Sequence, residues 1–252
     1  LRNYDETQQQ VRDVYRIART FHTVERTKYL REKYKPGTHG TWTVWQVLEA
    51  LKSFKDLSDP DVCCPNDQHG LQTAESLRAL GVPDWLQLVG LIHDFGKILF
   101  KWGCDEDGTS LKTQWSIVGD TFVVGYPMPD EIVFPEFNIE VTNELYEEHC
   151  GLEHCLISFG HDEYLYNVLK ISQTSLPPEA LQIIRYHSLY AWHDKNAYSF
   201  LENERDRMVK GWVKLFNTHD LYSKQHKRVA LEDVYEYYDQ IVKKYIPNGL
   251  EL

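Results

Sequence analysis

A chain of 252 residues, 42% hydrophobic and 26% charged, is long enough to bury one substantial core, and nothing in it demands a second domain. Its 38 acidic against 27 basic residues leave a net charge of −11, which argues against a nucleic-acid or anionic-membrane partner because both select basic patches. No run approaches the ~18 apolar residues of a membrane span, and the five cysteines (Cys63, Cys64, Cys104, Cys150, Cys155) are odd in number without repeated C-x-x-C spacing, so they read as reduced thiols of a cytoplasmic protein.

The chain opens Leu1-Arg2-Asn3-Tyr4-Asp5, with neither an initiator methionine nor a signal peptide, as a trimmed chain would. Helical periodicity dominates from there. From Gln8 to Tyr34, apolar or aromatic residues recur at Val11, Val14, Tyr15, Ala18, Phe21, Val24 and Leu30. Thr43 to Phe54 repeats the pattern with Val44, Val47, Leu48 and Leu51. Thr73 to Leu80 reads as a shorter helix closed by Gly81, and Asp84, preceded by Pro83, caps a long helix from Trp85 to about Trp102. A polar loop follows at Asp105 to Ser110, and Ser116 to Val124, broken at Gly119-Asp120, predicts a small β-hairpin. Pro127, Pro129 and Pro135 keep the next segment irregular. Helices resume at Asp162 to Lys170, at Pro178 to Tyr190 with proline in the first turn, at Arg205 to Tyr222 and at Leu231 to Ile246. The expectation is a mostly α, single-domain fold over residues 1–252 with a small β-hairpin. No self-association signal is present, and a monomer is the default.

Chemistry concentrates at Leu88-Val89-Gly90-Leu91-Ile92-His93-Asp94-Phe95-Gly96-Lys97, an apolar helical run interrupted by a His-Asp pair. On a helix these two side chains diverge by about 100°, so one can bind a single metal while the other reaches a bridging position. His161, His187 and Asp220 stand among apolar or aromatic neighbours in or at the edge of other predicted helices, and His69 lies where a helix could bring it to the same place; an inward-facing ionisable group needs a partner. Four imidazoles and two carboxylates in one pocket can hold two metal ions, with iron, zinc and manganese all open. Taken singly, each of these histidines is more often a hydrogen-bonded core residue. His22, His39, His149, His154, His193, His219 and His226 lack a comparable setting, and there is no H-E-x-x-H, paired E-x-x-H or P-loop signature.

The set His69, His93-Asp94, His161, His187, Asp220 resembles the HD-domain superfamily and, more closely, the myo-inositol oxygenase family. Besides the His-Asp block, the matching text is Val118-Gly119-Asp120-Thr121-Phe122, His149-Cys150-Gly151-Leu152-Glu153, Gly160-His161-Asp162-Glu163-Tyr164-Leu165-Tyr166, Arg185-Tyr186-His187-Ser188-Leu189-Tyr190 and Asp220-Leu221-Tyr222-Ser223-Lys224. These blocks run through almost the whole chain in family order. The resemblance implies a helical HD-type fold with a non-haem di-iron centre in which His69, His93 and Asp220 bind one iron, His161 and His187 the other, and Asp94 bridges. It implies a mixed-valent Fe(II)/Fe(III) pair, O2 as co-substrate, and four-electron ring opening of myo-inositol to D-glucuronate. Asp94 and Lys97 would be the catalytic residues. Polyol contacts would come from Lys97, Gly119, Asp120, His187, Ser188 and Lys224, with Arg2, Asp56, Ser58 and Asp59 from covering segments. Three places depart from the family pattern: the stretch from Cys104 to Lys112 looks longer, the His69–His93 spacing one residue shorter, and Leu57 stands where an acidic residue can occur. A metal-dependent phosphohydrolase of the HD type, or a scaffold that has kept the fold, are the competing classes. His161 and His187 inside matching blocks, and acidic Asp120, favour the oxygenase.

Overall fold

The computed structural model describes residues 9–59, 66–141, 145–222 and 228–252. Helix α5 (Asp84–Ile92) is its axis: Leu86, Leu88, Val89, Leu91 and Ile92 are at most 1% exposed, and a helix apolar all round must be enclosed. It is enclosed by α4 (Asn66–Leu80), α7 (Pro178–Tyr186) and α10 (Leu231–Tyr245). Outside these, α6 (His161–Ile171) packs on α7, α9 (Glu204–Tyr222) on α4 and α7, and α3 (Val44–Leu51) on the 3-10 turns of Phe95–Lys101. One continuous apolar core runs through all of them. Helices α1 (Gln9–Phe21) and α2 (Val24–Lys33) precede this assembly, and the short α8 (Tyr190–His193) follows α7. Among the described residues no helix is long and apolar enough to cross a membrane.

Glycines set the closest approaches. A Cβ on Gly90 would lie 2.9 Å from Leu77 Cδ1 and 3.0 Å from the backbone of Ala74, and one on Gly70 would lie 2.7 Å from the Leu91 carbonyl oxygen. Helices α4 and α5 therefore touch backbone to backbone, which brings His69 alongside His93. Gly96 is tighter still, since a Cβ there would overlap the His161 carbonyl oxygen at 1.8 Å.

The mostly helical expectation holds, with shifted boundaries. The periodic stretch up to Tyr34 divides into α1 and α2 because Thr23 takes an extended conformation and its hydroxyl accepts from the Arg26 amide at 3.2 Å, capping α2. Helix α4 begins seven residues before Thr73, with a first turn of Asn66, Asp67, Gln68, His69 and Gly70, all buried; apolar periodicity could not see a buried face made of polar groups. The helix expected to continue to Trp102 instead stops at Ile92. Asp94 adopts φ −91°, ψ 2°, and the chain tightens to 3-10 turns over Phe95–Lys101. At three residues per turn Asp94 and Lys97 eclipse each other. The helix expected through Tyr190 likewise ends at Tyr186.

The hairpin expected within Ser116 to Val124 is not formed. The antiparallel pair of the described residues joins β1 (Thr41–Trp42) to β2 (Leu250–Glu251), with Thr41 opposite Glu251 and Trp42 opposite Leu250. The Ser116–Val124 stretch is instead stitched to distant segments: the Ile117 carbonyl accepts from the His161 amide (3.0 Å), the Thr121 amide donates to the Ser188 carbonyl (3.0 Å), and Phe122 and Val124 bond to Ser158 and Leu156. A short apolar run is compatible with either fate. The polar loop after Cys104 is also anchored rather than free, for the buried Asp107 carboxylate accepts from Lys33 (2.5 Å), Tyr34 (2.9 Å) and Arg26.

Two outcomes are expected. Gly96→Ala should lower the urea midpoint by the equivalent of about 3 kcal/mol, the upper end for overpacking, because backbone rather than a flexible side chain must move; an unchanged midpoint would contradict the close approach. The second concerns buried His22, wedged between Trp115 and Phe122. Burial pushes its pKa down from 6.5 to about 4. The unfolded chain therefore binds this proton and the folded one does not, so stability is full above pH 6.5 and is lost as pH falls toward 4. Between pH 7 and 4.5 the wild type should lose about 2 kcal/mol more than His22→Gln; equal losses in chemical denaturation would rule the site out.

Candidate metal centre

Helix ends deliver the six residues. His93 and His187 are the C-terminal caps of α5 and α7, Asp220 lies in the last turn of α9, His161 opens α6, His69 sits in the first two turns of α4, and Asp94 begins the 3-10 segment. The carbonyl ends of α5, α7 and α9 bring partial negative charge to this place, which favours a cation. None of the six is more than 7% exposed.

Asp94 is central. Its Oδ2 lies 3.6 Å from His93 Nε2 and 3.9 Å from His69 Nε2, while its Oδ1 lies 3.2 Å from His161 Nε2. Asp220 Oδ1 is 2.7 Å from His69 Nε2 and 3.2 Å from His93 Nε2. His161 Nε2 and His187 Nε2 are 3.1 Å apart. Two groups can each hold a metal ion, His69–His93–Asp94 and Asp94–His161–His187, and they share the Asp94 carboxylate.

The tautomers fit that use. Nδ1 of His93, His161 and His187 faces the carbonyl oxygens of Gly90 (2.9 Å), Ile117 (2.6 Å) and Ile184 (2.7 Å). A carbonyl only accepts, so Nδ1 carries the proton and, in a neutral ring, Nε2 turns a lone pair inward. Burial, with His161 and His93 adding like charge, holds His187 well below the usual histidine range, and burial also lowers His69. For His93, burial is outweighed by Asp94 and Asp220, which raise it. Two inward lone pairs 3.1 Å apart repel unless a cation shares them, and a metal ion could be that cation. Ligands about 2.1 Å from one ion at a right angle stand about 3.0 Å apart, close to the spacing seen. Burial alone would raise Asp94 and Asp220, yet Lys97 and His93 hold Asp94, and His93 and His69 hold Asp220, well below the carboxylate range. The donor set therefore fits metal ions.

Lys97 closes one side. Its buried ammonium donates to Asp94 Oδ2 (2.9 Å), Asp56 Oδ2 (2.8 Å) and Asn66 Oδ1 (3.2 Å). The Ser58 amide and hydroxyl donate to Asp56 Oδ1 at 2.8 and 2.7 Å. Burial disfavours the Lys97 charge, but Asp56 and Asp94 more than restore it, so its pKa is raised and it stays an ammonium; Asp56 is correspondingly depressed against its own burial.

Around this centre lies a cavity lined also by Asp59, Gly119, Ser188 and Tyr190. The structure thus gathers His69, His93, Asp94, His161, His187, Asp220, Asp56, Ser58, Asp59, Lys97, Gly119 and Ser188 in one place. Asp120 is not among the lining residues; its carboxylate accepts from the Tyr15 hydroxyl of α1 at 3.0 Å. Arg2 and Lys224 lie outside the described residues. Sequence reasoning missed Asn66, Tyr190 and Tyr15. Asn66 stands three residues before His69 on one helix face, a spacing that could have pointed to it.

The model of the family described as myo-inositol oxygenase matches residues 8–252. Relatives include inositol oxygenase 1 of Arabidopsis thaliana, 41% identical over 99% of this chain and 83% of its own length. Inositol oxygenase of Mus musculus is 38% identical over 94% of this chain and 84% of its own length, and that of Dictyostelium discoideum 37% identical over 99% and 88%. With a buried His/Asp cluster able to hold metal ions at its centre, this chain belongs to the myo-inositol oxygenase family of oxidoreductases.

Proposed function

We propose that residues 1–252 act as one catalytic unit, an inositol oxygenase that opens the ring of myo-inositol with O2 in a four-electron oxidation to D-glucuronate. The observation that carries the reading is Asp94, whose two oxygens face two different imidazole groups inside a lined cavity of a chain of this family. His69, His93 and Asp220 would hold one iron, His161 and His187 the other, and Asp94 both. When bound, the Fe(II)/Fe(III) pair supplies Lewis acidity toward inositol hydroxyls and redox equivalents toward dioxygen.

The remaining roles belong to the protein. The His161–His187 side carries fewer protein donors than the His69–His93–Asp220 side, leaving more room there for a vicinal diol. Lys97, kept charged by Asp56 and Asp94, would hydrogen-bond an inositol oxygen and offset negative charge as that hydroxyl loses its proton. Ser58 anchors Asp56 and so fixes where Lys97 points. Ser188, Asp59, the Gly119 backbone and His187 would meet other hydroxyls, and Asp120, tied to Tyr15, would support the Gly119 wall. Arg2 and Lys224, outside the described residues, are proposed as further contacts. A polar wall of this kind suits a polyol, which is recognised by many hydrogen bonds rather than by apolar burial. Cys104, Cys150 and Cys155 stand as free thiols, which supports a reducing, cytoplasmic setting, and we take the working form to be a monomer.

The deciding experiment is anaerobic iron loading followed by myo-inositol and oxygen, with iron per chain and glucuronate both quantified. About two irons per chain and oxygen-dependent glucuronate are expected; phosphate release from a nucleotide panel without glucuronate would move the assignment to the phosphohydrolases. Asp94→Ala should lose the paired site and all turnover while circular dichroism stays helical, and full activity in that variant would defeat the bridging role. Ser188→Ala should keep its iron and lose roughly tenfold in kcat/KM, the size of one hydrogen bond.

A further inference from the structure

Asn66, the first residue of α4, is 7% exposed and lines the cavity, yet no role has so far been given to its amide. Its orientation is dictated by a neighbour. An ammonium has only protons to give, so the Asn66 atom 3.2 Å from Lys97 Nζ is the oxygen. The amide nitrogen, with two N–H donors, then faces elsewhere. It is buried and has no hydrogen-bond partner among the described residues. Buried side-chain donors are nearly always satisfied, and one that is not usually marks a missing ligand or water. The supply of acceptors nearby sharpens this: Asp56 and Asp94 spend oxygens on Lys97, and Ser58 occupies the other oxygen of Asp56.

We propose that Asn66 is a substrate-positioning residue with two functions: Oδ1 helps hold the Lys97 ammonium, and Nδ2 donates a hydrogen bond to one hydroxyl oxygen of the bound polyol. The inference rests on the inositol oxygenase reading. A hydroxyl oxygen next to Lys97 can accept from both groups, so Asn66 and Lys97 together would select one ring position. A neutral amide adds a donor without adding charge to a wall that already carries four carboxylates in Asp56, Asp59, Asp94 and Asp220.

Asn66→Ala and Asn66→Asp separate the two functions, because aspartate keeps an acceptor for Lys97 but has no N–H. Binding of myo-inositol and of each mono-deoxy-inositol to the iron-loaded wild type and variants is measured by calorimetry without oxygen, together with iron per chain, kcat and KM. Both variants should keep their iron and bind myo-inositol roughly tenfold to 100-fold more weakly, the effect of losing one buried donor. Against one deoxy analogue, wild type and Asn66→Ala should bind alike, since the hydroxyl that the amide contacts is gone; every other analogue should still report the loss. Unaltered binding in both variants, an equal loss against every analogue, or loss of iron in both would overturn the inference and leave Asn66 a structural group. A wild type that binds no inositol would overturn the functional reading and this inference together.

Discussion

Everything in this molecule is arranged around a cost that would otherwise be prohibitive: three carboxylates, four imidazoles and an ammonium buried within hydrogen-bond reach of one another. Asp56, Asp94 and Asp220 are all held ionised against burial, and among the described residues Lys97 brings its ammonium to Asp56 and Asp94. Buried charge persists only when paired or coordinated to a cation. His93 answers part of the demand, since its neighbours raise its proton affinity, but His69 and His187 are driven the other way by burial. An electronegative pocket lined with inward nitrogen lone pairs is a place that metal ions complete.

That arrangement explains the local backbone. Asp94 must face two imidazole groups at once, and an α-helix continuing past His93 would carry Lys97 about 60° off the Asp94 face. Tightening to 3-10 turns eclipses the two instead, giving the 2.9 Å contact. Gly96 lets those turns lie directly on the first residue of α6, so the second imidazole pair reaches the same carboxylate. Gly70 and Gly90 do the corresponding work between α4 and α5. The stretch through Ile117 and Thr121 supplies the rest, because the Ile117 carbonyl fixes both the His161 amide and its ring.

Legibility followed the physics of each segment. Helix α10, whose buried face is apolar or aromatic, matches the periodic reading to within a residue, and so does α9. Three that carry the site differ from the expectation at their functional ends: α4 starts early enough to hold His69, α5 stops before Asp94, and α7 stops just before His187. Hydrophobic periodicity reports which side chains avoid water, and it goes blank where polar groups are buried by one another. The hairpin expectation failed for a related reason. Apolar residues at Ile117, Val118, Phe122 and Val123 are buried, but the Ile117 and Phe122 carbonyls and the Val123 amide are met by His161, Ser158 and Tyr198 far along the chain, which no local pattern can announce.

By itself the sequence determined the helical class, the identity of the residues that chemistry would need and, through the order of their blocks, the family. Those are properties of residue type and spacing along one chain. Only the tertiary structure decided that Asp94 divides its oxygens between two imidazole groups, that Lys97 answers to Asp56 and Asn66 as well as to Asp94, and that Asp120 accepts from Tyr15 of α1. Such facts depend on contacts between residues dozens to more than a hundred positions apart, whose distances are set by how closely helices pack, and packing is a property of the folded whole.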